Sequence, residues 1–239
     1  FPDFHIYQVP YGVEISDLSP KEHSDEIRHR YNLPHNAHIV VTLSDMTEMR
    51  EMEYLLKAFE KLAIKKPNAF LFIVGQGPLW KEIEFAVLSL ALGSRVIMTG
   101  AAKANEVPDY ISTSDVFVNM SARSTGFEPS LMEAMAQRKV VIGSEVSPIS
   151  HIIEDRVDGF LLRPADIDSL GNLLIEIFSG QIPISEIGEK ARGKVLELFN
   201  TQNMLNSVIT AYHQILINTG NYKARRTISQ KTTPPLSPG

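Results

Sequence analysis

Five short apolar runs recur along the first part of the chain, and each is continuous rather than alternating with polar residues. They are HIVVTL at 38–43, AFLFIVG at 69–75, RVIMTG at 95–100, DVFVNM at 115–120 and KVVIG at 139–143. Runs of this kind are typical of strands that are buried on both faces. Segments with helical spacing lie between them, at 52–64, 79–92, 106–113 and 131–137. This alternation predicts an α/β fold, a doubly wound parallel sheet in a single Rossmann-like domain.

Later parts of the chain carry a different pattern. Beyond Phe160–Leu162, helical spacing dominates, over 166–178, 187–199 and 204–217. The final stretch is polar and rich in proline, which predicts a disordered tail over 218–239.

Composition excludes several classes of function. The net charge is −5, and the one basic cluster is Lys223–Arg226, so the chain lacks the electrostatic footprint of a nucleic-acid-binding protein. The absence of cysteine excludes disulfides, thiolate metal sites and a cysteine nucleophile, and it suits a cytoplasmic location. No apolar run reaches the roughly 18 residues of a membrane helix, and the first residues do not resemble a signal peptide.

In a doubly wound sheet, ligands bind beyond the carboxyl ends of the strands, against helix starts whose free N–H groups favour anions. The most informative such loop is SARSTGFEPSLMEAMAQRK at 121–139, which runs directly into a helix. Gly126 allows the backbone to approach a ligand, and the amides of 130–132 are expected to point outward at the helix start.

Glu133 has two interpretations. Ser130 and Glu133 have the spacing of a capping box, in which both side chains satisfy backbone donors at the helix start. The alternative is that the Glu133 carboxylate contacts a ligand, and the spacing alone leaves both open. The pair Gly75 and Gly77 after a strand favours a plain turn, because Trp80 occupies the position of the third glycine of a dinucleotide motif.

Two histidines, His35 and His38, lie near the start of the first strand. No acidic or further histidine partner is placed to complete a metal site, so both are interpreted as solvated loop residues. We expect no metal site and no cofactor.

The segment SDVFVNMSARSTGFEPSLMEAMAQRKVVIGSEVSPISHIIEDRVDGFLL at 114–162 resembles the signature region of retaining GT-B glycosyltransferases. These belong to the large glycosyltransferase group 1, which includes sucrose synthases and bacterial mannosyltransferases. EYLLKAFEKLAIKKPNAFLFIVGQGP, LGSRVIMTG and the entry segment VPYGVE are also similar to that group. The resemblance covers residues 8–217.

The resemblance implies that this chain is one half of a GT-B fold, the half that binds a nucleotide diphosphate sugar. Residues 1–15 then correspond to an interdomain linker and 16–217 to the nucleotide-sugar-binding domain. The implied partners are a UDP- or GDP-linked sugar and an amino-terminal acceptor domain absent from this chain, through which peripheral membrane association could arise. No metal is required, and no catalytic residue is assigned.

Residue by residue, the resemblance places Glu133 on the ribose hydroxyls, with capping as a compatible second role. Sugar and phosphate contacts are expected from the loop amides of Gly126, Phe127, Glu128, Ser130 and Leu131. The base is expected against the segment from Gly100 to Lys103.

Several positions depart from the pattern of the group. Thr125 stands where the group has a sugar-binding glutamate, and Glu128 is the candidate to replace it. Ser44-Asp45 stands where the group has Gly-Arg, so a carboxylate replaces a cation that would stabilise the diphosphate. Arg50 and Arg123 are candidates to compensate, although both could be solvated surface charges.

These departures leave a second interpretation open, a non-catalytic pseudo-glycosyltransferase domain that serves as a partner or scaffold subunit. The late helices are expected to face the absent half. We therefore predict an exposed apolar patch around Val195, Leu198, Leu205 and Ile209, with a tendency to self-association.

Overall fold

The computed structural model describes residue 7 and residues 9–14, 25–121 and 129–218. In these ranges six strands form one parallel sheet. The strands are β1 His38–Leu43, β2 Ala69–Val74, β3 Val96–Gly100, β4 Val116–Asn119, β5 Val140–Ser144 and β6 Phe160–Leu162. Their order in the sheet is β3-β2-β1-β4-β5-β6. The order reverses between β1 and β4, which makes this the switch point of a doubly wound fold and confirms the predicted fold class.

The helices of the described ranges alternate with these strands and then continue beyond them. They are α1 Asp25–Arg30, α2 Met49–Lys65, α3 Trp80–Ser89, α4 Val107–Thr113, α5 Ser130–Ala136, α6 Ile149–Ile152, α7 Ile167–Phe178, α8 Ile184–Leu198 and α9 Thr201–Asn218. None of them combines the length and the hydropathy that a bilayer crossing requires. Helix α1 was not predicted, because Ile27 is its single core residue and a lone apolar position gives no periodic signal.

Both faces of the sheet are covered. On one face, Val40 and Leu71 pack in a cluster with side chains of α2 and α7. These two helices approach closely at Gly171, where an added Cβ would lie 3.3 Å from the carbonyl oxygen of Ala58. On the other face, the ring of Phe72 meets Tyr31 edge-on at 5.1 Å between centroids. Burial on both sides explains why the strand sequences are continuously apolar.

The chain divides into two compact units, 15–196, which holds the sheet, and a second made of 1–14 with 197–239. In the second unit, Val13 donates to the carbonyl of Phe199 at 2.9 Å and accepts from the N–H of Thr201 at 3.3 Å. These bonds tie the entry segment to the end of α8 and the start of α9.

The predicted apolar patch is partly correct. Leu198, Leu205 and Ile209 are 47%, 46% and 49% exposed. Val195 is fully buried, so its inclusion was wrong. Buried residues recur every four positions along α8, at Ile187, Ala191 and Val195. This spacing places Val195 on the inner face of the helix.

Candidate functional site

A cleft of about 460 Å³ opens at the carboxyl edge of the sheet. Its walls come from three successive strand ends and from the start of α5. The lining residues are Leu43, Ser44 and Asp45 after β1, Val74, Gly75 and Gln76 after β2, Ala101, Ala102, Ala104 and Val107 after β3, and Pro129, Ser130 and Glu133. This is the edge at which ligands bind in doubly wound folds, and its volume suits a small-molecule ligand.

The floor of the cleft depends on close backbone packing between the loops after β1 and β2. The N–H of Gly75 donates to the carbonyl of Gly100 at 3.0 Å. A Cβ at Gly75, which has φ +134°, would lie 2.0 Å from the carbonyl oxygen of Ser44, and one at Gly77 would lie 1.8 Å from that of Asp45. The two glycines therefore allow one loop to lie on the other, which agrees with their interpretation as turn residues.

Glu133 lies on α5 among neighbours that are fully buried, yet its own side chain is half-buried and lines the cleft. Burial raises the pKa of the Glu133 carboxyl above its ordinary value, and burial is the one cause acting on it. No donor among the described residues reaches this carboxylate. It is thus a partly desolvated acceptor directed at the cleft, which can bind hydroxyl groups of a ligand.

The capping-box interpretation of Ser130 and Glu133 is wrong. A capping serine stands before the helix in extended conformation, whereas Ser130 is already the first residue of α5. Pro129 occupies the cap position with φ −55° and ψ −27°, and no side chain caps the helix. Ser130 is 5% exposed as a residue, and its hydroxyl is fully buried, with no hydrogen-bond partner in the described part of the chain.

The loop after β1 carries the second carboxylate of the cleft. Asp45 Oδ1 accepts from the backbone N–H of Thr47 at 3.2 Å and from its hydroxyl at 2.8 Å. Ser44 Oγ accepts from the N–H of Met46 at 3.0 Å, and Met46 has φ +50°. These bonds fix the loop. Among the described lining residues, the charged ones are Asp45 and Glu133, so this part of the cleft is anionic.

Four of the predicted site residues lie away from the cleft lining. Arg50 is exposed in the first turn of α2. Lys103 is exposed, and its N–H donates to Glu106 Oε2 at 3.0 Å. Gly100 uses its carbonyl for the bond from Gly75, and Leu131 is buried in α5. None of these four residues is among those that line the cleft, and the predicted contact of the Leu131 backbone N–H stays a prediction.

The remaining predicted residues, Arg123, Thr125, Gly126, Phe127 and Glu128, lie outside the described residues, so their roles stay predictions. Within the segment from Gly100 to Lys103, against which the base was expected, Ala101 and Ala102 line the cleft. Two further small apolar residues that the sequence reasoning did not single out, Ala104 and Val107, also line it. The sequence could have indicated these residues, because they follow β3 and therefore lie at the same edge of the sheet as the other lining residues.

The histidines lie at the opposite, amino-terminal side of β1. His35 is exposed. His38 was expected to be solvated, but its ring packs 4.7 Å from that of Phe178, and burial lowers its pKa. Within the described ranges, no group of three or more metal-ligating side chains is present.

Comparison with known proteins places this geometry in context. The sequence profile of the family described as glycosyl transferases group 1 matches residues 23–194. N-acetyl-alpha-D-glucosaminyl L-malate synthase of Bacillus anthracis is 25% identical over 203 residues, which are 85% of this chain and 52% of that enzyme. The chain spans about half the length of the curated relatives it matches.

Two solved structures illustrate the likeness of fold. Anabaena HepE in complex with UDP has a TM-score of 0.78 at 20% identity and covers 87% of this chain and 57% of that one. The C-terminal domain of the glycosyl transferase group 1 family protein LpcC from Francisella tularensis has a TM-score of 0.69 at 21% identity, over 80% of this chain and 100% of that domain.

Proposed function

Because the chain belongs to the glycosyl transferases group 1 family, we propose that it is the donor-binding half of a retaining glycosyltransferase. The reaction is transfer of a hexose from a nucleotide diphosphate sugar to an acceptor hydroxyl, in polysaccharide or glycoconjugate biosynthesis. One observation carries the proposal: the Glu133 carboxylate lines the cleft at the carboxyl edge of the sheet, and no described protein group donates to it.

The lining residues offer two kinds of group that suit the two parts of a nucleoside. Ala101, Ala102 and Val107 form an apolar wall that would pack on the face of a base. Glu133 would accept hydrogen bonds from the ribose hydroxyls, which are donors that a carboxylate binds strongly. UDP is the first nucleotide to test, because the structural relative HepE was crystallised with UDP.

The proposal assigns positioning and electrostatic stabilisation to this half. In the proposed mechanism, the oxygens of the diphosphate take the proton from the acceptor hydroxyl as the bond to the sugar breaks. The protein holds the donor in reach of the acceptor and stabilises the developing charge. No metal ion or cofactor is invoked. The acceptor is bound by a second half, and the Francisella domain supports the idea that a unit of this size can fold without one.

Calorimetric titration of the chain with UDP and with GDP tests the proposal. We expect one of them to bind, and we expect Glu133→Gln to weaken that binding by about 10- to 100-fold, because a hydrogen bond to a charged group is worth roughly 1.5–3 kcal/mol. Glu84→Gln is the matched control, since Glu84 is exposed on α3 and does not line the cleft. A folded chain that binds neither nucleotide would remove the proposal.

Asp45 favours a second candidate, a pseudo-glycosyltransferase domain that folds and acts as a partner or scaffold subunit. Its carboxylate lines the cleft, where it would repel a diphosphate. The two candidates differ in one measurement on Asp45→Asn. If nucleotide affinity in the wild type is absent and appears in this variant, the second candidate is supported. Nucleotide binding by the wild type supports the enzyme.

A further inference from the structure

Helices α2 and α3 leave a groove of about 550 Å³ between them. Its apolar lining includes Met49 from α2 and Ala86 and Leu90 from α3, all of them partly buried. Ala86 and Ser89 have short side chains, which leaves space along the α3 side of the groove. No residue lines both this groove and the cleft at the carboxyl edge of the sheet, so the two are separate features.

The α3 side of the groove also carries an exposed aromatic ring. Phe85 lines the groove and is 71% exposed, and Leu88, three residues further along the same side of the helix, is 64% exposed. The inner side of α3 is occupied by the buried residues Ile83 and Val87, so Phe85 and Leu88 have no place in the core. Large apolar side chains exposed beside an apolar groove are typical of a surface that binds another protein.

Charged residues of both signs border the groove. Helix α2 contributes Glu53 and Lys57, which are one turn apart, and α3 contributes Lys81 and Glu82. These four residues form the rim. A partner of one charge, such as an anionic membrane, would be attracted by half of the rim and repelled by the other half. An identical rim suits it better, because the lysines of one copy can face the glutamates of the other.

We propose that this groove is the interface of a dimer with twofold symmetry, in which Phe85 of each copy enters the groove of the other. A twofold interface uses one surface twice, so that surface must carry both a projecting group and the hollow that receives it. Here Phe85 projects, while Ala86 and Ser89 leave the hollow beside it. The inference does not depend on nucleotide binding, since it concerns residues outside the cleft.

The tail of the same chain is an alternative occupant, but its sequence suits the groove poorly. Residues 219–239 carry four lysines and arginines and no acidic residue. Their large apolar residues are Tyr222, Ile228 and Leu236, which are six and eight positions apart. This spacing provides no continuous apolar stripe to follow the groove. A second copy of the chain offers both an apolar surface and balanced charges.

Sedimentation velocity over a range of concentrations measures the dimer, and Phe85→Ser tests its interface. We expect this variant to weaken the dimer about 100-fold or more, because each dimer buries two copies of the ring and each contributes about tenfold or more. Leu196→Ser is the matched control, since Leu196 is 42% exposed on α8 and does not line the groove. It should leave the dimer unchanged. The urea midpoint of the dilute Phe85→Ser chain should match that of the wild type, because Phe85 lies largely outside the core.

An exchange of charges tests whether the rim faces a second rim. One variant combines Lys57→Glu with Lys81→Glu, and the other combines Glu53→Lys with Glu82→Lys. Each variant alone should fail to dimerise, because all four rim charges then have the same sign. An equal mixture of the two should dimerise, because an acidic rim then faces a basic one. Damage to the fold would not be repaired by mixing.

The inference is overturned by any of three results. A wild type that stays monomeric at every concentration shows that no second copy occupies the groove. A wild-type dimer that Phe85→Ser does not weaken uses another surface. A mixture of the two charge variants that stays monomeric shows that the rims do not face each other. Nucleotide affinity should be the same in all these variants, so a failure of this inference leaves the proposed function untouched.

Discussion

Replacing Glu133 with glutamine should stabilise the free chain and weaken nucleotide binding, two effects of opposite sign. The wild-type carboxylate is half-buried in the cleft, and burial raises its pKa above the ordinary 4.5. A raised pKa in an acid means that the folded state holds the proton more tightly than the unfolded state. The stability of the wild type therefore falls as pH rises from the unfolded pKa through the folded pKa.

The size of the stability effect follows from the partial burial. A fully desolvated carboxylate would cost several kcal/mol, but the open cleft screens this one, so Glu133→Gln should gain a few tenths to about 1 kcal/mol at pH 7. Glutamine is neutral at every pH, so the gain should vanish below about pH 4, where the wild-type carboxyl is protonated. Binding should weaken in the same variant, because an amide is a poorer acceptor than a carboxylate for ribose hydroxyls.

Urea unfolding at pH 4 and at pH 7 measures the first effect, and titration with UDP and GDP measures the second. Glu84→Gln should change neither, since that carboxylate is exposed to solvent. A Glu133→Gln variant that is less stable than the wild type at pH 7 would show that the carboxylate has a structural partner. An unchanged affinity for the bound nucleotide would refute its role in the cleft.

Three further outcomes are expected. Gly75→Ala should lose about 3 kcal/mol of unfolding free energy in urea, because its Cβ would lie 2.0 Å from a backbone oxygen. The control Gly180→Ala, at φ +73° with no atom within 4 Å, should lose about 1–2 kcal/mol from backbone strain alone. Equal losses in the two variants would contradict the contact at Gly75. Burial lowers the pKa of Lys139 to about 8 from the ordinary 10.5, so the unfolded state binds more protons between these two pH values and wild-type stability should rise with pH across that window. Lys139→Met should abolish this rise in unfolding curves measured at pH 8 and 10. A rise that persists in the variant would assign it to other groups. Leu205 is 46% exposed, so Leu205→Glu should reduce the self-association seen by sedimentation velocity at high concentration. A wild-type chain that stays monomeric under these conditions would contradict the predicted patch.

The strands could be predicted from sequence because their signal is local and strong. A strand buried on both faces needs apolar residues at every position, and each of the five predicted runs coincides with a strand whose ends agree within one residue. Helices were found where an apolar stripe repeats over several turns, as in α2 and α7. The weak points were short elements such as α1, which contributes one side chain to the core.

The position of the candidate site could be predicted from the sequence, but the set of residues that line it was harder to predict. A parallel sheet brings its strand ends to one edge, so the loops that could form a cleft follow from the order of the elements. Which residues of those loops face the cleft depends on how one loop packs on another. Ala101 and Ala102 line it, whereas Lys103 does not, and the backbone N–H of Lys103 is bonded to Glu106. That choice rests on contacts between distant segments, which a local motif does not encode.

The spacing of Ser130 and Glu133 shows how a correct pattern can support a wrong structure. Residues three apart lie on one face of a helix whether the helix begins at the serine or just before it, so the spacing is the same for a capping box and for a pair directed at a ligand. Pro129 decides between them. Proline is favoured at the start of a helix, where its fixed φ suits the first turn and its missing N–H is not needed. With Pro129 already in helical conformation, the helix includes Ser130, and no side chain caps its first turn. The same proline that removes the capping role therefore leaves the Glu133 carboxylate, half-buried in the cleft, available to a ligand.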